Sequence, residues 1–371
     1  MPALASAARE KLQDLTDTCR KRVLMESHRG GDAIVMRGGR RLVSFSCNDY
    51  LGLSQHAAVK AAAMAAVEKY GAGAGASRLV TGNHPLYAEL ETNLAAWKGT
   101  QAALVFGSGY LANIGVIPAF TGKGDLLLAD KLVHACLIDG AQLSGAKLIR
   151  FRHNDVGDCQ RLLAAQRPQH RHCLIVTDEV YSMDGDQAPL AELSALAKAH
   201  DAWLMADGAH SFAAAHAPVD VYTGTLSKAL GSYGGYVAAS RDVIDYLATG
   251  ARSFMFSTGL PPAAIAAASA ALAIVRSDAG LVARPLAKAR LFTGALGLPP
   301  AQSAIVPLVI GEEKRAVKAA QALEQEGYLV TAIRPPTVPL GASRLRFAFC
   351  AQHGEEDILA LARIVKREGW V

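Results

Sequence analysis

The chain has 371 residues, of which 51% are hydrophobic and 19% are charged. This composition excludes a disordered chain and is typical of a globular protein with a large core and two domains. The formal net charge is +5, and the Lys and Arg residues form no basic run. We therefore expect no nucleic acid as a partner.

The cysteine pattern and the length of the apolar stretches bear on the cellular compartment in which we expect the protein. The six cysteines form no C-x-x-C pair, so the sequence predicts neither a metal site nor a disulfide framework. The N-terminus has no basic region followed by an apolar run and does not resemble a signal peptide. The longest apolar stretch, residues 263–275, is too short to span a bilayer. We expect a cytoplasmic protein with reduced thiols and no membrane segment.

The N-terminal part is predicted to contain helices and one hairpin. Apolar residues at helical spacing predict three helices, over residues 4–26, 57–70 and 86–98. Between the first two, residues 34–36 and 42–45 alternate in hydrophobicity on either side of Gly38 and Gly39. This pattern predicts a β-hairpin.

Beyond residue 98, short β runs alternate with helical segments. The runs cover residues 102–106, 126–129, 147–151, 173–177, 202–206, 219–222 and 235–238. Such alternation predicts an α/β fold with a mainly parallel seven-stranded sheet covered on both faces. From about residue 278 the pattern changes to that of a smaller α/β domain. We therefore predict an N-terminal helix and hairpin segment (1–47), a large domain (48–277) and a small C-terminal domain (278–371).

Lys228 lies in a hydroxyl-rich turn, Thr223-Gly-Thr-Leu-Ser-Lys228, which follows a predicted strand. Another strand ends at Asp207, and ligands bind beyond the carboxyl ends of strands in such sheets. A pyridoxal 5′-phosphate (PLP) site needs a lysine for the Schiff base and a carboxylate for the pyridinium nitrogen. Singly, the lysine is typical of a surface charge and the aspartate of a helix N-cap. Their combination favours a PLP site.

Three other strand ends carry candidate residues. The segment from Gly107 to Tyr110 precedes a predicted helix, where free backbone N–H groups can bind a phosphate, although a plain turn is the alternative. His134 is either a cofactor contact or a buried structural histidine. Ser182 lies in a segment that is otherwise typical of an Asp/Gly turn.

Two more segments bear on ligand binding. The glycine-rich segment 70–77 follows a helix rather than a strand, so it does not fit a dinucleotide-binding motif. We expect it to form a loop that lines a substrate site. Arg344 and Arg346 follow a proline-rich segment, and one of them is a candidate for binding a substrate carboxylate, with a solvated surface arginine as the alternative.

These motifs together resemble the α-oxoamine synthases, PLP-dependent transferases of fold type I. The resemblance covers nearly the whole chain from about Ser46. It rests on Asn48-Asp-Tyr-Leu-Gly-Leu53, Gly107-Ser-Gly-Tyr-Leu-Ala-Asn113, His134, Arg152-His-Asn-Asp155, Tyr181-Ser-Met-Asp-Gly-Asp186-Gln-Ala-Pro-Leu190, Asp207-Gly-Ala-His210 and Thr223-Gly-Thr-Leu-Ser-Lys228. It implies PLP as the cofactor and a homodimer with the active site at the subunit interface.

The resemblance also implies a role for each matching residue. Lys228 would form the Schiff base and act as acid and base, Asp207 would pair with the pyridinium nitrogen, and His134 would stack on the ring. The residues implied in catalysis are Lys228, His134, Asp207 and His210. Those implied in cofactor binding are Ser108, Gly109, Tyr110, His134, Ser182, Asp207, His210, Thr225 and Lys228. Those implied in substrate binding are Asn48, Thr337 and Arg346, of which Arg346 would take the carboxylate.

Segment 332–346 resembles the family members that make 8-amino-7-oxononanoate for biotin. These condense L-alanine with a pimeloyl thioester, carried by coenzyme A or an acyl carrier protein, and release carbon dioxide. Sister enzymes that use glycine or serine share the cofactor residues and stay as alternatives: 2-amino-3-ketobutyrate CoA ligase, 5-aminolevulinate synthase and serine palmitoyltransferase. An inactive subunit of the same fold is disfavoured because such chains typically lack the lysine, and a nucleotide-binding protein is disfavoured further.

The chain departs from the family pattern near the site. Gly208 stands where the family usually has an acidic residue, and residues 211–216 replace a glycine-rich turn. The interval between Asp207 and Lys228 is also shorter than in the family. Phe256 replaces a tyrosine that contacts the phosphate bound by the partner subunit, so we expect this contact to be lost.

Overall fold

The structure, a computed structural model, describes residues 3–212 and 218–371. Most of the segment 211–216, for which the sequence predicted a departure from a glycine-rich turn, lies outside the described residues. The helices are α1 (Ala3–Asp17), α2 (Ala57–Tyr70), α3 (Leu86–Lys98), α4 (Gly109–Phe120), α5 (Ala135–Ser144), α6 (Val156–Gln166), α7 (Leu190–Ala199), α8 (Arg241–Gly250), α9 (Arg252–Met255), α10 (Pro262–Ser277), α11 (Ala279–Leu296), α12 (Glu313–Gln325) and α13 (Glu355–Arg367).

Strands in the described part of the chain range from two to seven residues. They are β1 (His28–Arg29), β2 (Ile34–Arg37), β3 (Arg40–Ser44), β4 (Ala102–Phe106), β5 (Leu126–Asp130), β6 (Lys147–Phe151), β7 (Cys173–Asp178), β8 (Trp203–Asp207), β9 (Val221–Thr225), β10 (Gly235–Ala239), β11 (Ile305–Gly311), β12 (Tyr328–Leu329), β13 (Thr331–Ile333) and β14 (Ser343–Ala348). All seven β runs predicted between residues 102 and 238 are strands.

The chain divides into two compact units. The large unit comprises Leu51–Ser182 and Asp186–Ala283, and the small unit comprises Met1–Tyr50, Met183–Gly185 and Arg284–Val371. The predicted three-part division at residues 47 and 277 stays a prediction.

The large unit is built on a seven-stranded sheet in the order β4-β10-β9-β8-β7-β5-β6. Strand β10 runs antiparallel to β4 and β9, and the other pairs are parallel, which confirms the predicted mainly parallel sheet. Strands β5 and β7 are buried along their whole length. Because side chains alternate across a sheet, Leu127 packs into one core while Leu126 and Leu128 pack into another.

The carboxyl ends of the parallel strands lie at one edge of this sheet. Asp130 ends β5, Asp178 ends β7, Asp207 ends β8 and Thr225 ends β9. Asp178 and Asp207 are register partners of adjacent strands. The topology therefore gathers polar side chains at the edge where ligands bind in such sheets.

The small unit contains two sheets, ordered β11-β14-β13 and β1-β2-β3-β12. The predicted hairpin is confirmed as β2 and β3, which pair antiparallel. The core of the small unit is mainly aliphatic and includes four buried phenylalanines, Phe45, Phe292, Phe347 and Phe349.

The first predicted helix is shorter than the sequence indicated. Helix α1 ends at Asp17, and Cys19 adopts a left-handed backbone conformation with φ of 53°. Such a conformation is costly for a residue other than glycine and stops a right-handed helix. The prediction of a helix to residue 26 was therefore wrong over its last nine residues.

No single helix among the described residues is long and apolar enough to cross a bilayer. Helices α10 and α11 reach the necessary length and apolar composition only together, and they are bent by 83° where they meet. In α10, the side chains of Ile265, Ala268, Ala271 and Leu272 are buried within the protein.

Candidate active site

A cavity of about 230 Å³ opens at the carboxyl edge of the large unit's sheet. The residues that line it are Ser108, Gly109, Tyr110, His134, Cys136, Asp178, Val180, Ser182, Asp207, Ala209, His210, Thr225, Ser227 and Lys228. All nine residues predicted to bind the cofactor are in this set. The structure therefore brings together residues that are up to 120 positions apart in the sequence (228 − 108).

Lys228 projects from the turn between β9 and β10. Its Nζ lies 2.8 Å from Nε2 of His210, which is itself buried. The turn depends on Gly231, which has a φ of 61° and whose Cα lies so near Ser54 that a Cβ would be 2.3 Å from the Ser54 nitrogen. A lysine amine beside an imidazole is suited to moving a proton within the cavity.

Asp207 forms the polar floor of the cavity and is held in place by several donors. Its Oδ2 accepts a hydrogen bond of 2.6 Å from Nδ2 of Asn113, and its Oδ1 accepts one of 2.8 Å from the backbone N–H of Ala209. Thr223 donates to Asn113 Oδ1 at 2.8 Å and so fixes the orientation of that amide. Both carboxylate oxygens of Asp207 are therefore held by hydrogen bonds to the protein.

Asp178 lines the cavity beside Asp207 but differs in its electrostatics. Burial, and then the neighbouring Asp207, raise the pKa of Asp178 well above its usual range. One hydrogen bond, of 3.3 Å from the backbone N–H of His134, acts in the opposite direction. Because two adjacent buried carboxyls cannot both ionise easily, we infer that Asp178 is the neutral member of the pair.

His134 is the N-cap of α5 and faces the cavity. Its Nδ1 accepts a hydrogen bond of 3.3 Å from the backbone N–H of Cys136 and lies 2.8 Å from the Cys136 sulfur. Burial lowers the pKa of His134, so the ring is neutral at pH 7. With Nδ1 accepting, the ring proton is on Nε2. Burial raises the pKa of the Cys136 thiol, which therefore stays protonated.

The opposite side of the cavity is shaped for an anion. Helix α4 begins there, and its N-cap Ser108 accepts a hydrogen bond of 3.1 Å from the backbone N–H of Leu111. The hydroxyls of Thr225 and Ser227 lie 2.7 Å apart on the facing turn. Free N–H groups at a helix N-terminus together with hydroxyls form a typical phosphate site. The hydroxyl of Tyr110, in contrast, donates to Asp139 at 2.6 Å.

The three residues predicted to bind substrate lie in the small unit. Arg346 is buried, and its Nη2 donates to Oδ1 of Asn48 at 3.2 Å and to the hydroxyl of Tyr50 at 3.3 Å. Thr337 is exposed and accepts a hydrogen bond of 3.0 Å from Arg22. Asn48 and Arg346 thus form a pair, and Thr337 contacts a different residue.

Arg344, the other arginine singled out in the sequence, has a structural partner within the small unit. Its Nη1 lies 2.5 Å from Oδ1 of Asp184 and donates to the carbonyl of Met183 at 3.1 Å. The guanidinium of Arg344 therefore already has a carboxylate partner within this unit.

The structure shows what surrounds two of the residues that depart from the family pattern, Gly208 and Phe256. A Cβ on Gly208 would lie 1.8 Å from the hydroxyl oxygen of Tyr222, so no larger residue fits there with Tyr222 in place. Phe256 is 69% exposed, and the guanidinium of Arg252 lies 5.0 Å from its ring centre. Phe256 therefore offers an apolar surface where a tyrosine would offer a hydroxyl.

The sequence analysis missed some residues of the site. Asp178, Cys136 and Ser227 line the cavity, and Asn113 binds Asp207, yet none was assigned a role. Asp178 directly follows a predicted strand, so the rule that identified Asp207 would have identified it. Asn113 lies one helical turn after Gly109, and its contact with Asp207 cannot be read from spacing alone.

The comparisons with known proteins agree with this site. The model of the family described as aminotransferase class I and II matches residues 40–365. The chain belongs to this family. It is 59% identical to the 8-amino-7-oxononanoate synthase of Methylocella silvestris, over 90% of this chain and 98% of that protein. It is 55% identical to the protein of the same name in Methylobacterium nodulans, over 99% of this chain and 98% of that protein.

A solved structure gives the same result at the level of the fold. Serine palmitoyltransferase from S. paucimobilis, a lysine-to-alanine variant with a bound PLP–myriocin aldimine, superposes with a TM-score of 0.91. It is 30% identical to this chain, and the match covers 100% of this chain and 98% of that one. The family and these relatives together show that the protein is a PLP-dependent enzyme. Like its curated relatives, it is an acyltransferase.

The described residues fit PLP as the cofactor. The cavity offers the amine of Lys228, the buried carboxylate of Asp207 and the neutral ring of His134. It also offers a helix N-terminus flanked by the hydroxyls of Thr225 and Ser227. An aldehyde, a pyridinium nitrogen, an aromatic ring and a phosphate need these four kinds of partner.

Proposed function

We propose that the protein condenses L-alanine with a pimeloyl thioester and releases a thiol and carbon dioxide. The proposed product is 8-amino-7-oxononanoate, the proposed pathway is biotin synthesis, and the proposed compartment is the cytoplasm. The α-carbon of alanine forms a bond to the thioester carbonyl carbon, the C–S bond breaks, and the alanine carboxylate leaves as carbon dioxide. The observation that carries the proposal is the 59% identity to a relative of this name over 90% of the chain.

Lys228 is proposed to move the reacting proton. Its amine takes the proton from the α-carbon of alanine and later returns one to the same carbon after carbon dioxide has left. His210, 2.8 Å from the amine, holds Nζ in position for both transfers. Bound PLP supplies the ring that accepts the electron pair of the α-carbon.

The other residues of the large unit are proposed to hold and orient the cofactor. Asp207 keeps a positive charge on the pyridine nitrogen, and its orientation is fixed by Asn113 and Ala209. His134 would stack on the pyridine ring, His210 would hydrogen-bond its phenolic oxygen, and Ser182 would lie near the cofactor. Phosphate binding is assigned to Ser108, Gly109, Tyr110 and Thr225.

The small unit is proposed to bind the amino acid. Arg346 takes the carboxylate of alanine, a pairing for which a planar guanidinium is well suited. Asn48 lies 3.2 Å from Arg346 Nη2 and orients the guanidinium, and Thr337 contributes to substrate binding from the same unit.

A homodimer is part of the proposal. Leu79, Val80 and Phe256 are each more than half exposed. Their segments are neighbours, because Ser77 and Thr258 form a β-bridge. Exposed apolar side chains gathered in one region are typical of a protein–protein interface.

An amino-acid competition tests the substrate assignment. The PLP-loaded protein is given pimeloyl-CoA with equal amounts of alanine, glycine and serine, and the products are identified by mass spectrometry. We expect a single decarboxylated product derived from alanine. A product derived from glycine or serine would assign the protein to a sister activity, and the Lys228→Ala variant, followed by thiol release, serves as the inactive control.

A further inference from the structure

A buried polar cluster lies against the segment that carries Asp207 and His210. Lys98, Glu179 and Tyr222 form it, and each is less than 10% exposed. The Tyr222 hydroxyl donates a hydrogen bond to Oε2 of Glu179 and accepts one of 3.2 Å from Nζ of Lys98. None of the three lines the cofactor cavity. Neither the sequence analysis nor the proposed mechanism assigns them a function.

Three polar groups this deeply buried are costly unless they are fully paired. Burial lowers the pKa of Lys98 to about 8, and the charge of Glu179 acts in the opposite direction. The amine also lies 4.2 Å from the ring centres of both Trp97 and Tyr222. Lys98 and Glu179 therefore both bind the Tyr222 hydroxyl, in a site shielded from water.

The cluster is connected directly to the segment 207–211. The backbone N–H of Glu179 donates to the carbonyl of Asp207 at 2.8 Å. The Tyr222 hydroxyl occupies the space where a Cβ on Gly208 would lie, at 1.8 Å, and it is hydrogen-bonded to the side chain of Ser211. The Tyr222 hydroxyl thus contacts this segment at two points, one on each side of His210.

The opposite side of this segment is held by a separate set of bonds. Asn113 binds the Asp207 carboxylate and is itself held by Thr223, the residue after Tyr222. Because successive side chains of a strand point to opposite faces, Thr223 and Tyr222 act on the two sides of β9. The segment therefore lies between two polar clusters, and only the Asn113 side has an evident link to the cofactor.

We propose that Tyr222, fixed by Lys98 and Glu179, is a positioning residue that sets the placement of Asp207 and His210 in the cofactor site. It acts through Gly208 and Ser211 and does not touch the cofactor. The inference concerns the cofactor site alone, so it stands whichever amino acid proves to be the substrate.

The test compares Tyr222→Phe with Tyr87→Phe, both as PLP-loaded proteins. Tyr87 is also buried in the large unit, and its hydroxyl accepts a hydrogen bond of 2.6 Å from the backbone N–H of Leu260, which lies outside the segment 207–211. The readout is the pH midpoint of the visible absorbance of the bound cofactor, measured without substrate. Thermal unfolding of both variants reports the loss of stability that any buried hydroxyl causes.

Tyr222→Phe is expected to raise the pH midpoint, at which the imine of the bound cofactor loses its proton, by about half a unit or more. A displaced Asp207 holds less positive charge on the pyridine nitrogen, and a displaced His210 stabilises the ring oxygen less well, so both changes make the imine keep its proton. Tyr87→Phe is expected to lower the unfolding temperature and leave the midpoint unchanged. An unchanged midpoint in Tyr222→Phe, or an equal shift in Tyr87→Phe, overturns the proposal. If Tyr222→Phe does not fold, Lys98→Met is the second test variant, and it must shift the midpoint in the same direction.

A pair of substitutions tests the contact with Gly208. Gly208→Ala is expected to lower the unfolding temperature and the PLP affinity, because its methyl group collides with the Tyr222 hydroxyl. In a Tyr222→Val background, Gly208→Ala is expected to lower the unfolding temperature and the PLP affinity much less, because the tyrosine ring with which the methyl group collides is absent. Equal losses in the two backgrounds would show that Tyr222 does not set the position of this segment.

Discussion

Asp178 and Asp207 show how two identical side chains in one cavity acquire different properties. They end adjacent parallel strands and are register partners. Asp207 receives hydrogen bonds from Asn113 and Ala209, whereas Asp178 receives a single bond from the backbone of His134. Burial and the nearby charge of Asp207 raise the pKa of Asp178. The pair can therefore present one negative charge to the cofactor instead of two.

Amide substitutions are expected to separate the two aspartates. Asp178→Asn replaces a neutral carboxyl with a neutral amide of the same shape, so PLP affinity should stay within about threefold of wild type. Asp207→Asn removes the proposed counter-charge of the pyridinium, and the affinity should fall about tenfold or more. The measurement is titration of the apoprotein with PLP, followed by absorbance. Equal effects of the two substitutions would contradict this division of roles.

The reactive residues could be predicted from the sequence, whereas the residues that hold them in position by hydrogen bonds could not. Lys228, Asp207 and His134 stand at strand ends, and this position follows from the alternation of apolar runs and turns. The bonds that orient them come from Asn113 and Thr223, and which residues of a helix and a strand face each other depends on packing. The Tyr222 cluster was missed for the same reason, because Lys98 and Glu179 are 81 positions apart (179 − 98).

Helix α4 is positioned by the strand beside it. A Cβ on Gly235, the first residue of β10, would lie 2.3 Å from the backbone nitrogen of Gly109 and 2.4 Å from the carbonyl oxygen of Ser108. Backbone atoms cannot move aside as the end of a flexible side chain can. The glycine thus allows the N-terminus of α4 to approach the sheet and form the proposed phosphate site.

Gly235→Ala is therefore expected to push the start of α4 away and weaken PLP binding about tenfold. Gly294→Ala in α11 is the matched control, because a Cβ there would meet nothing within 4 Å. The control should leave the PLP affinity unchanged and stabilise the protein by about 0.5 to 1 kcal/mol. Wild-type PLP affinity in Gly235→Ala, measured by the same titration, would show that this close approach is not needed.

Among the secondary-structure elements, the strands of the large unit were predicted correctly from the sequence, whereas the length of helix α1 was not. The seven strands of the large unit were recognisable because strands buried on both faces appear as continuous apolar runs. Helix α1 was predicted too long, since the apolar spacing continues past Asp17 while the backbone turns at Cys19. The spacing of apolar side chains does not reveal that a single residue adopts a left-handed backbone conformation.

At the scale of the whole molecule, a histidine between two aspartates makes stability depend on pH. His153 lies 2.9 Å from Oδ1 of Asp130 and 2.7 Å from Oδ2 of Asp186, and so links the end of β5 to the loop between β7 and α7. Burial opposes the charge of His153, but the hydrogen bonds to Asp130 and Asp186 outweigh it and raise the pKa to about 10. The folded state therefore holds this proton more tightly than the unfolded chain.

This linkage predicts a loss of stability in alkali. The contribution of His153 is fully present below the unfolded pKa of about 6.5 and is lost as the pH rises through about 10. Allowing for partial exposure of the pair, we expect wild type to lose about 2 kcal/mol more than His153→Gln over this range. Urea unfolding at several pH values measures the difference. Parallel pH profiles for the two proteins would exclude the effect.

Lys228 is proposed as the amine that holds PLP in the cavity at the edge of the sheet. Borohydride reduction of the PLP-loaded protein, followed by digestion and peptide mass spectrometry, identifies the lysine that carries the cofactor. We expect a pyridoxyl group on the peptide that contains Lys228 and on no other peptide. A label on Lys98, which is also buried in the large unit, or on any other lysine would overturn the assignment of Lys228.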